Sequence, residues 1–124
     1  MRIMKVNICG HDYPVCFNAR VLVAGEEKFG SLAGFERAVL SPDIAVKDFI
    51  WFLSVMLDAG YRAEKTEDPD IQAPPSYENL LDLIGMDDIP GIRKSMMQVQ
   101  ARQAERKVRL EEIKNAQATQ QGLI

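Results

Sequence analysis

The 124-residue chain has one histidine and two cysteines, and its glycines do not form a phosphate-binding motif. Histidine is the commonest general base and a frequent metal ligand, so a single histidine leaves little material for acid–base or metal chemistry. No Gly-Lys-Ser or Gly-Lys-Thr sequence follows a glycine-rich stretch, which argues against a P-loop. We therefore expect a protein that is not an enzyme, with no cofactor and no metal site.

A long hydrophobic run is also missing. The longest apolar stretch, residues 49–57, is interrupted by Ser54, and it has about half the length that a membrane-spanning helix needs. The first residues do not combine a charged segment with an apolar run and a small-residue cleavage site. We therefore expect no membrane partner and a cytosolic location.

The two cysteines, Cys9 and Cys16, lie on either side of His11 and Asp12. In a reducing cytosol such thiols stay free, and this is the interpretation that we prefer. These four side chains in one hairpin could also assemble a structural zinc site, which needs four ligands at controlled spacing. A small metal-binding protein is therefore an alternative hypothesis.

Charge is distributed unevenly along the chain. Residues 1–90 carry eight basic and fifteen acidic residues, for a net charge of −7, whereas residues 91–124 carry seven and three, for a net charge of +4. An acidic body followed by a basic segment indicates two surfaces with different roles. We predict a hairpin-plus-helices domain over 1–90 and a C-terminal helical extension over 91–124.

Apolar residues that alternate with polar or small ones predict a β-hairpin at the start of the chain. We place its tight turn within residues 10–12. A two-residue turn at either Gly10-His11 or His11-Asp12 keeps both apolar sets on one face. The residues expected on the hairpin's apolar face are Met4, Val6, Ile8, Tyr13, Val15 and Phe17.

Capping residues predict where the helices begin and end. Asn18, Ser31, Ser41 and Ser76 have side chains that can accept bonds from the free N–H groups of a first helical turn. Pro42, after Ser41, suits the first position of a helix. Gly30 and Gly60 suit the ends of helices. The fold class is therefore mainly α with a small N-terminal β-hairpin (α+β), a helical bundle with a long C-terminal helix. The predicted helices cover residues 19–29, 32–40, 42–59, 77–84 and 90–117.

The third predicted helix is apolar on nearly every side from residue 49 to residue 57. A helix of this kind is buried on every side, which a small domain achieves with difficulty. Either neighbouring helices enclose it, or another protein chain covers one side, where Trp51 and Val55 would contact the partner. The predicted core comprises Val6, Ile8, Val15, Phe17, Val21, Leu22, Phe35, Ile44, Phe49, Ile50, Phe52, Leu53, Met56, Leu80 and Leu81.

The last predicted helix has a narrow stripe of small and apolar residues at steps of four, three and four. The stripe is too weak for a coiled coil, which needs larger residues over more heptads. We predict that it binds a partner, and that a chain ending at Ser95 keeps its fold. The stripe consists of Met97, Ala101, Ala104 and Val108.

Basic residues cluster on the same helix, at Arg102, Arg106, Lys107 and Arg109. A nucleic-acid-binding surface would combine such a cluster with aromatic side chains and a basic overall charge. Here glutamate and glutamine side chains interrupt the cluster, no aromatic residue lies within it, and the whole chain is acidic. These features argue against nucleic-acid binding.

The order of these elements resembles the tail assembly chaperones of long-tailed bacteriophages. The resemblance rests on the hairpin, on Tyr-Pro-x-x-Phe-Asn at residues 13–18, and on a helix that ends in Glu-Glu-Lys-Phe-Gly-Ser at residues 26–31. It covers residues 3 to 85. An apolar central helix, an acidic loop and a polar C-terminal extension agree with the same layout.

The resemblance implies a non-enzymatic chaperone of a phage or prophage. Such a protein binds the tape measure protein and recruits tail tube subunits, as a homo-oligomer in the host cytoplasm, and is absent from the mature virion. One alternative is a structural adaptor or connector that stays in the phage particle. The other is the metal-binding protein, using Cys9, His11 and Cys16 of the hairpin.

Overall fold

The computed structural model describes residues 3–102. Within this range the protein is α+β and mainly helical, with a two-stranded antiparallel hairpin followed by five helices. This architecture confirms the predicted fold class. The elements are β1 (Met4–Ile8), β2 (His11–Val15), α1 (Ala19–Phe29), α2 (Leu32–Val39), α3 (Val46–Lys65), α4 (Tyr77–Leu83) and α5 (89–102).

The hairpin turns earlier than predicted. Ile8 pairs with His11, which leaves Cys9 and Gly10 as the two-residue turn, with φ angles of 53° and 88°. Positive φ at both positions is the requirement of a type I′ turn, and glycine meets it at no steric cost. The predicted turn at Gly10-His11 or His11-Asp12 is therefore wrong, because Gly10 takes the second turn position rather than the first. His11 and Asp12 belong to β2.

The capping predictions for the first two helices are confirmed. The side chain of Asn18 accepts a hydrogen bond from the backbone N–H of Val21, at 3.4 Å, and α1 then begins at Ala19. Gly30 ends α1 in the left-handed conformation. The hydroxyl of Ser31 accepts a bond of 2.9 Å from the N–H of Gly34. Only Gly30 and Ser31 therefore separate the end of α1 from the start of α2.

The bounds of α3 differ from the prediction at both ends. Residues 41–43 form a separate turn, in which the N–H of Asp43 donates to the hydroxyl of Ser41 at 3.1 Å, and the helix starts at Val46. At the other end the helix passes through Gly60 and reaches Lys65. A Cβ at Gly60 would overlap the backbone of Pro14 and Val15. Gly60 therefore allows α3 to approach β2 closely, and it does not end the helix.

Helix α3 lies at the centre of the fold and packs against β2, α1, α2 and α4. Phe52 places its ring edge-on to that of Phe35, with the centroids 5.6 Å apart. Within residues 3–102, no helix is long and apolar enough to cross a membrane. The predicted core residues that are buried are Val6, Ile8, Val15, Val21, Phe35, Phe49, Ile50, Phe52, Leu53, Met56 and Leu80.

Four predicted core residues are less buried than expected. Phe17, Leu22 and Ile44 are half-buried and pack against the core from its edge. Leu81 is 44% exposed, so its predicted burial is wrong. Successive residues of a helix point about 100° apart, and in the short helix α4 the core position is taken by Leu80.

Helix α5 packs on the body through a face that the predicted stripe does not include. Ile92, Met96 and Val99 are buried in the same core as the residues of α3. Met97, by contrast, is 61% exposed. Because Met96 and Val99 contribute to the core, a chain ending at Ser95 should lose stability, contrary to the expectation from the sequence. The division of the chain at residue 90 stays a prediction.

Adjacent methionines on α5 give a matched test of this packing. Met96→Ala should lower the free energy of unfolding by about 2–4 kcal/mol, because it removes a buried side chain and leaves a cavity. Met97→Ala should change it by less than about 0.5 kcal/mol, since that side chain faces solvent. Urea unfolding followed by circular dichroism measures both values. Equal losses for the two variants would contradict the observed face.

Candidate partner-binding surfaces

A groove runs along α3 between α1 and the proline-containing segment 73–77. Arg20 and Ala24 of α1 form one wall, and Val55 and Tyr61 are among the α3 residues that line it. Its volume is about 530 Å³. We call this surface the α3 groove. It lies open because no other element of residues 3–102 covers this side of the central helix.

Trp51 lies one helical turn before Val55 and is half-buried in an aromatic cluster. Its ring meets that of Phe29 edge-on at 5.7 Å and that of Phe35 at 6.4 Å, measured between centroids. The ammonium group of Lys28 lies 5.0 Å from the Trp51 ring, within the range of a cation–π contact. Trp51 therefore contacts two aromatic rings and a cation, and its half-buried ring adds apolar surface beside the α3 groove.

Two polar side chains that line the α3 groove, Ser54 and Asp58, have partners within the chain. The hydroxyl of Ser54 donates to the backbone carbonyl of Trp51 at 2.6 Å. Asp58 and Arg62 form an ion pair of 2.8 Å whose side chains are both more than half exposed, so it adds little to stability. Neither arrangement sets a nucleophile beside a base.

A second groove separates α5 from the end of α2 and the start of α3. Its apolar lining includes Val39, Leu40, Phe49, Met96 and Met97, and its volume is about 450 Å³. Leu40 and Met97 remain largely exposed, whereas the other three are buried. We call this surface the α5 groove. Exposed methionine and leucine at the edge of an apolar depression are typical of a binding surface.

Arg93 closes one end of the α5 groove. Its guanidinium donates to the backbone carbonyls of Ser41 and Pro42, at 3.2 and 2.7 Å. These carbonyls belong to the turn between α2 and α3, in which the Ser41 carbonyl also accepts the N–H of Ile44 at 3.2 Å. Arg93 therefore ties α5 to that turn and places a positive charge at the groove. No pattern in the sequence indicated this contact.

The structure separates the predicted partner-binding residues into two groups. Val55 lines the α3 groove, and Trp51 lies one helical turn before it, whereas Met97 lines the α5 groove. Ala101 lies one turn beyond Met97 and is exposed. The two grooves share no lining residue. Ala104 and Val108 lie outside the described residues.

Three hairpin side chains of the zinc hypothesis, Cys9, His11 and Asp12, each contact a different group. The Cys9 thiol donates to the carbonyl of Leu83 at 3.3 Å, and the Asp12 carboxylate accepts from the side chain of Asn7 at 2.9 Å. The His11 ring packs against Tyr13, at 4.4 Å between centroids. Within residues 3–102, no three His, Cys, Asp or Glu side chains lie where they could hold a metal ion.

Both cysteines are free thiols, in different environments. Cys9 is exposed in the hairpin turn. Cys16 is buried, and its burial raises the pKa of the thiol above the ordinary value, because desolvation penalises the thiolate. A raised pKa lowers the fraction of reactive thiolate at neutral pH, so Cys16 acts as a core residue rather than as a nucleophile.

Asp87 and Asp88 are adjacent carboxylates just before α5. The Asp88 carboxylate accepts a 2.9 Å bond from the N–H of Gly85, and the Asp88 N–H donates back to the Gly85 carbonyl at 3.0 Å. The Asp88 carbonyl also accepts the N–H of Ile92, at 3.2 Å, in the first turn of α5. Asp88 therefore closes the turn before α5 instead of pairing with Asp87 as an acid–base dyad.

Comparisons with known proteins gave no match to this chain. No family model matches it. Neither the curated proteins nor the solved structures yielded a match.

Proposed function

We propose that the protein is a non-enzymatic tail assembly chaperone of a phage or prophage. In this proposal it acts in the host cytoplasm, binds the tape measure protein through the α3 groove, and recruits tail tube subunits around it. It then leaves before the virion is complete. The proposal follows the resemblance over residues 3 to 85.

The observation that carries the proposal is the open side of α3. Enclosing an apolar central helix on every side is difficult in a small domain, and Ser54 and Val55 remain half-exposed in the α3 groove, between α1 and segment 73–77. Trp51, one turn before Val55, is half-exposed beside the groove. A groove with an apolar floor is the surface into which an amphipathic helix inserts. A tape measure protein is long and helical, so it offers many such helices.

The charge of the body also suits a chaperone of this type. Residues 3–88 contain seven basic and fifteen acidic residues. An excess of one charge keeps a protein soluble, and it favours partners of opposite sign. We therefore expect the bound helix to have basic residues beside its apolar stripe.

Val55→Asp tests the α3 groove, because it places a carboxylate in the apolar floor. Co-expression with the tape measure protein of the same phage should keep that protein soluble with the wild-type chain and leave it insoluble with the variant. Binding of a soluble tape-measure segment should weaken about tenfold or more. Fluorescence of Trp51, one turn away, gives a direct signal for the titration.

The matched control is Val23→Asp, the same substitution at an exposed valine on α1 that lines neither groove. It should leave solubilisation and affinity unchanged. Thermal unfolding of both variants shows whether Val55→Asp remains folded, and Arg20→Glu at the exposed groove wall offers a second variant if it does not. Wild-type chain that fails to solubilise the tape measure protein would refute the proposal, and retention in purified virions would favour the structural adaptor instead.

A further inference from the structure

Two neighbouring parts of the chain have opposite charge. Residues 66–88 contain seven acidic residues and no lysine or arginine. Helix α5, over residues 89–102, contains Arg93, Lys94 and Arg102 and no acidic residue. A copy of this chain therefore has both an acidic surface and a basic surface, which is the condition for electrostatic attraction between copies.

Met86 lies at the end of the acidic part and projects from the fold. It is 88% exposed, which is the highest value among the large apolar side chains of residues 3–102. The turn that holds it is closed by the two hydrogen bonds between Gly85 and Asp88. The exposed carboxylate of Asp87 follows it directly. Met86 is thus an apolar side chain on a closed turn with negative charge beside it.

The α5 groove has the complementary features. Its lining is mainly apolar and includes the exposed side chains of Leu40 and Met97, and Arg93 supplies a positive charge. Lys94 is exposed on the next position of α5. Methionine has a flexible, unbranched side chain that adapts to irregular apolar depressions.

We propose that Met86 of one copy inserts into the α5 groove of a second copy, with Asp87 facing the basic side of α5. The contact joins two different surfaces of the same chain. Such contacts close into a symmetric dimer or ring when the rotation between copies allows it, and otherwise extend as a filament. This inference concerns self-association alone and does not depend on the proposed chaperone function.

Single substitutions at exposed positions test the two surfaces separately. Met86→Asp removes the inserted side chain, and Met97→Glu places a negative charge at the edge of the groove. Each should weaken self-association by about tenfold or more, as expected for the central residue of an interface. Sedimentation velocity over a concentration series measures the association, and Val23→Asp is the control that should match the wild type. Higher salt should weaken the wild-type association.

Mixing the two variants provides the decisive measurement. Met86→Asp keeps an intact groove, and Met97→Glu keeps an intact Met86, so the mixture should form one-to-one complexes at a concentration at which each variant alone is mostly monomeric. Mixed samples without complexes would overturn the proposal, as would a wild-type chain that stays monomeric at roughly 100 μM, a concentration at which a micromolar contact is occupied. An equal weakening of self-association by Val23→Asp would also overturn the proposal.

Discussion

Phe52→Ala should lower the free energy of unfolding by about 3–5 kcal/mol, because it empties the centre of the core. Phe52 is 1% exposed and lies edge-on to Phe17 and Phe35, with ring centroids 5.9 and 5.6 Å away. Two aromatic neighbours would lose their contacts at once, and the surrounding helices could not close the gap. Chemical denaturation monitored by circular dichroism measures the loss.

Two control substitutions show whether the loss of stability comes from emptying the core at Phe52. Phe52→Leu keeps much of the apolar volume and should lose less than half as much stability as Phe52→Ala. Leu40→Ala, at a largely exposed position, should change the free energy of unfolding by less than about 0.5 kcal/mol. A small effect of Phe52→Ala, similar to that of Leu40→Ala, would show that α3 is not the centre of the fold.

Gly60→Ala should destabilise the protein by about 3 kcal/mol, at the upper end of the usual range for overpacking. In an exposed helix the same change would be favourable by about 1 kcal/mol, since alanine is the better helix former. Here the new Cβ would overlap the backbone of Pro14 and Val15. Backbone atoms of a paired strand cannot move aside, so α3 must shift away from β2.

Gly91→Ala is the matched control on α5. A Cβ at Gly91 meets no atom within 4 Å, so the substitution should be neutral or should stabilise by up to about 1 kcal/mol. Thermal unfolding measures whether each substitution raises or lowers the melting temperature. If Gly60→Ala raised the melting temperature as Gly91→Ala is expected to do, the close approach between α3 and β2 would be refuted.

Local chemistry explains why much of the fold could be predicted. Asn18, Ser31 and Ser76 accept bonds from N–H groups within three residues, so the starts of α1, α2 and α4 depend on short stretches of sequence. Gly30 ends α1 because it adopts the left-handed conformation that glycine favours, and this end also depends on a short stretch of sequence. Alternation in the hairpin and the apolar run at 49–57 then indicated which faces are buried.

The errors arose where distant residues decide the structure. Gly60 resembles a helix end in the sequence, and its role became visible only with β2 packed against it. Ser41 and Pro42 resemble a helix start, yet their carbonyls accept bonds from Arg93, which lies far along the chain. Tertiary contacts of this kind override the local preference for a helix to start or end. They cannot be predicted from the residues nearby in the sequence.

The buried face of α5 is a different case, because the spacing of its apolar residues in the sequence could have predicted it. Ile92, Met96 and Val99 are spaced at i, i+4 and i+7, which is the usual pattern of a buried helical face, and all three are larger than the alanines of the predicted stripe. The α5 groove exists because this face packs inward and leaves Met97 at the surface. The two grooves could not be predicted, since each is formed by elements distant in sequence.

The backbone bond from the N–H of Cys16 to the carbonyl of Met56, at 3.2 Å, has a consequence for the order of folding. A two-stranded hairpin is marginally stable by itself, and this one is held by α3, which is synthesised later. We therefore expect β1 and β2 to become ordered during translation only once α3 is available. In the folded protein we expect the strands and α3 to open together as one cooperative unit, which amide hydrogen exchange would measure.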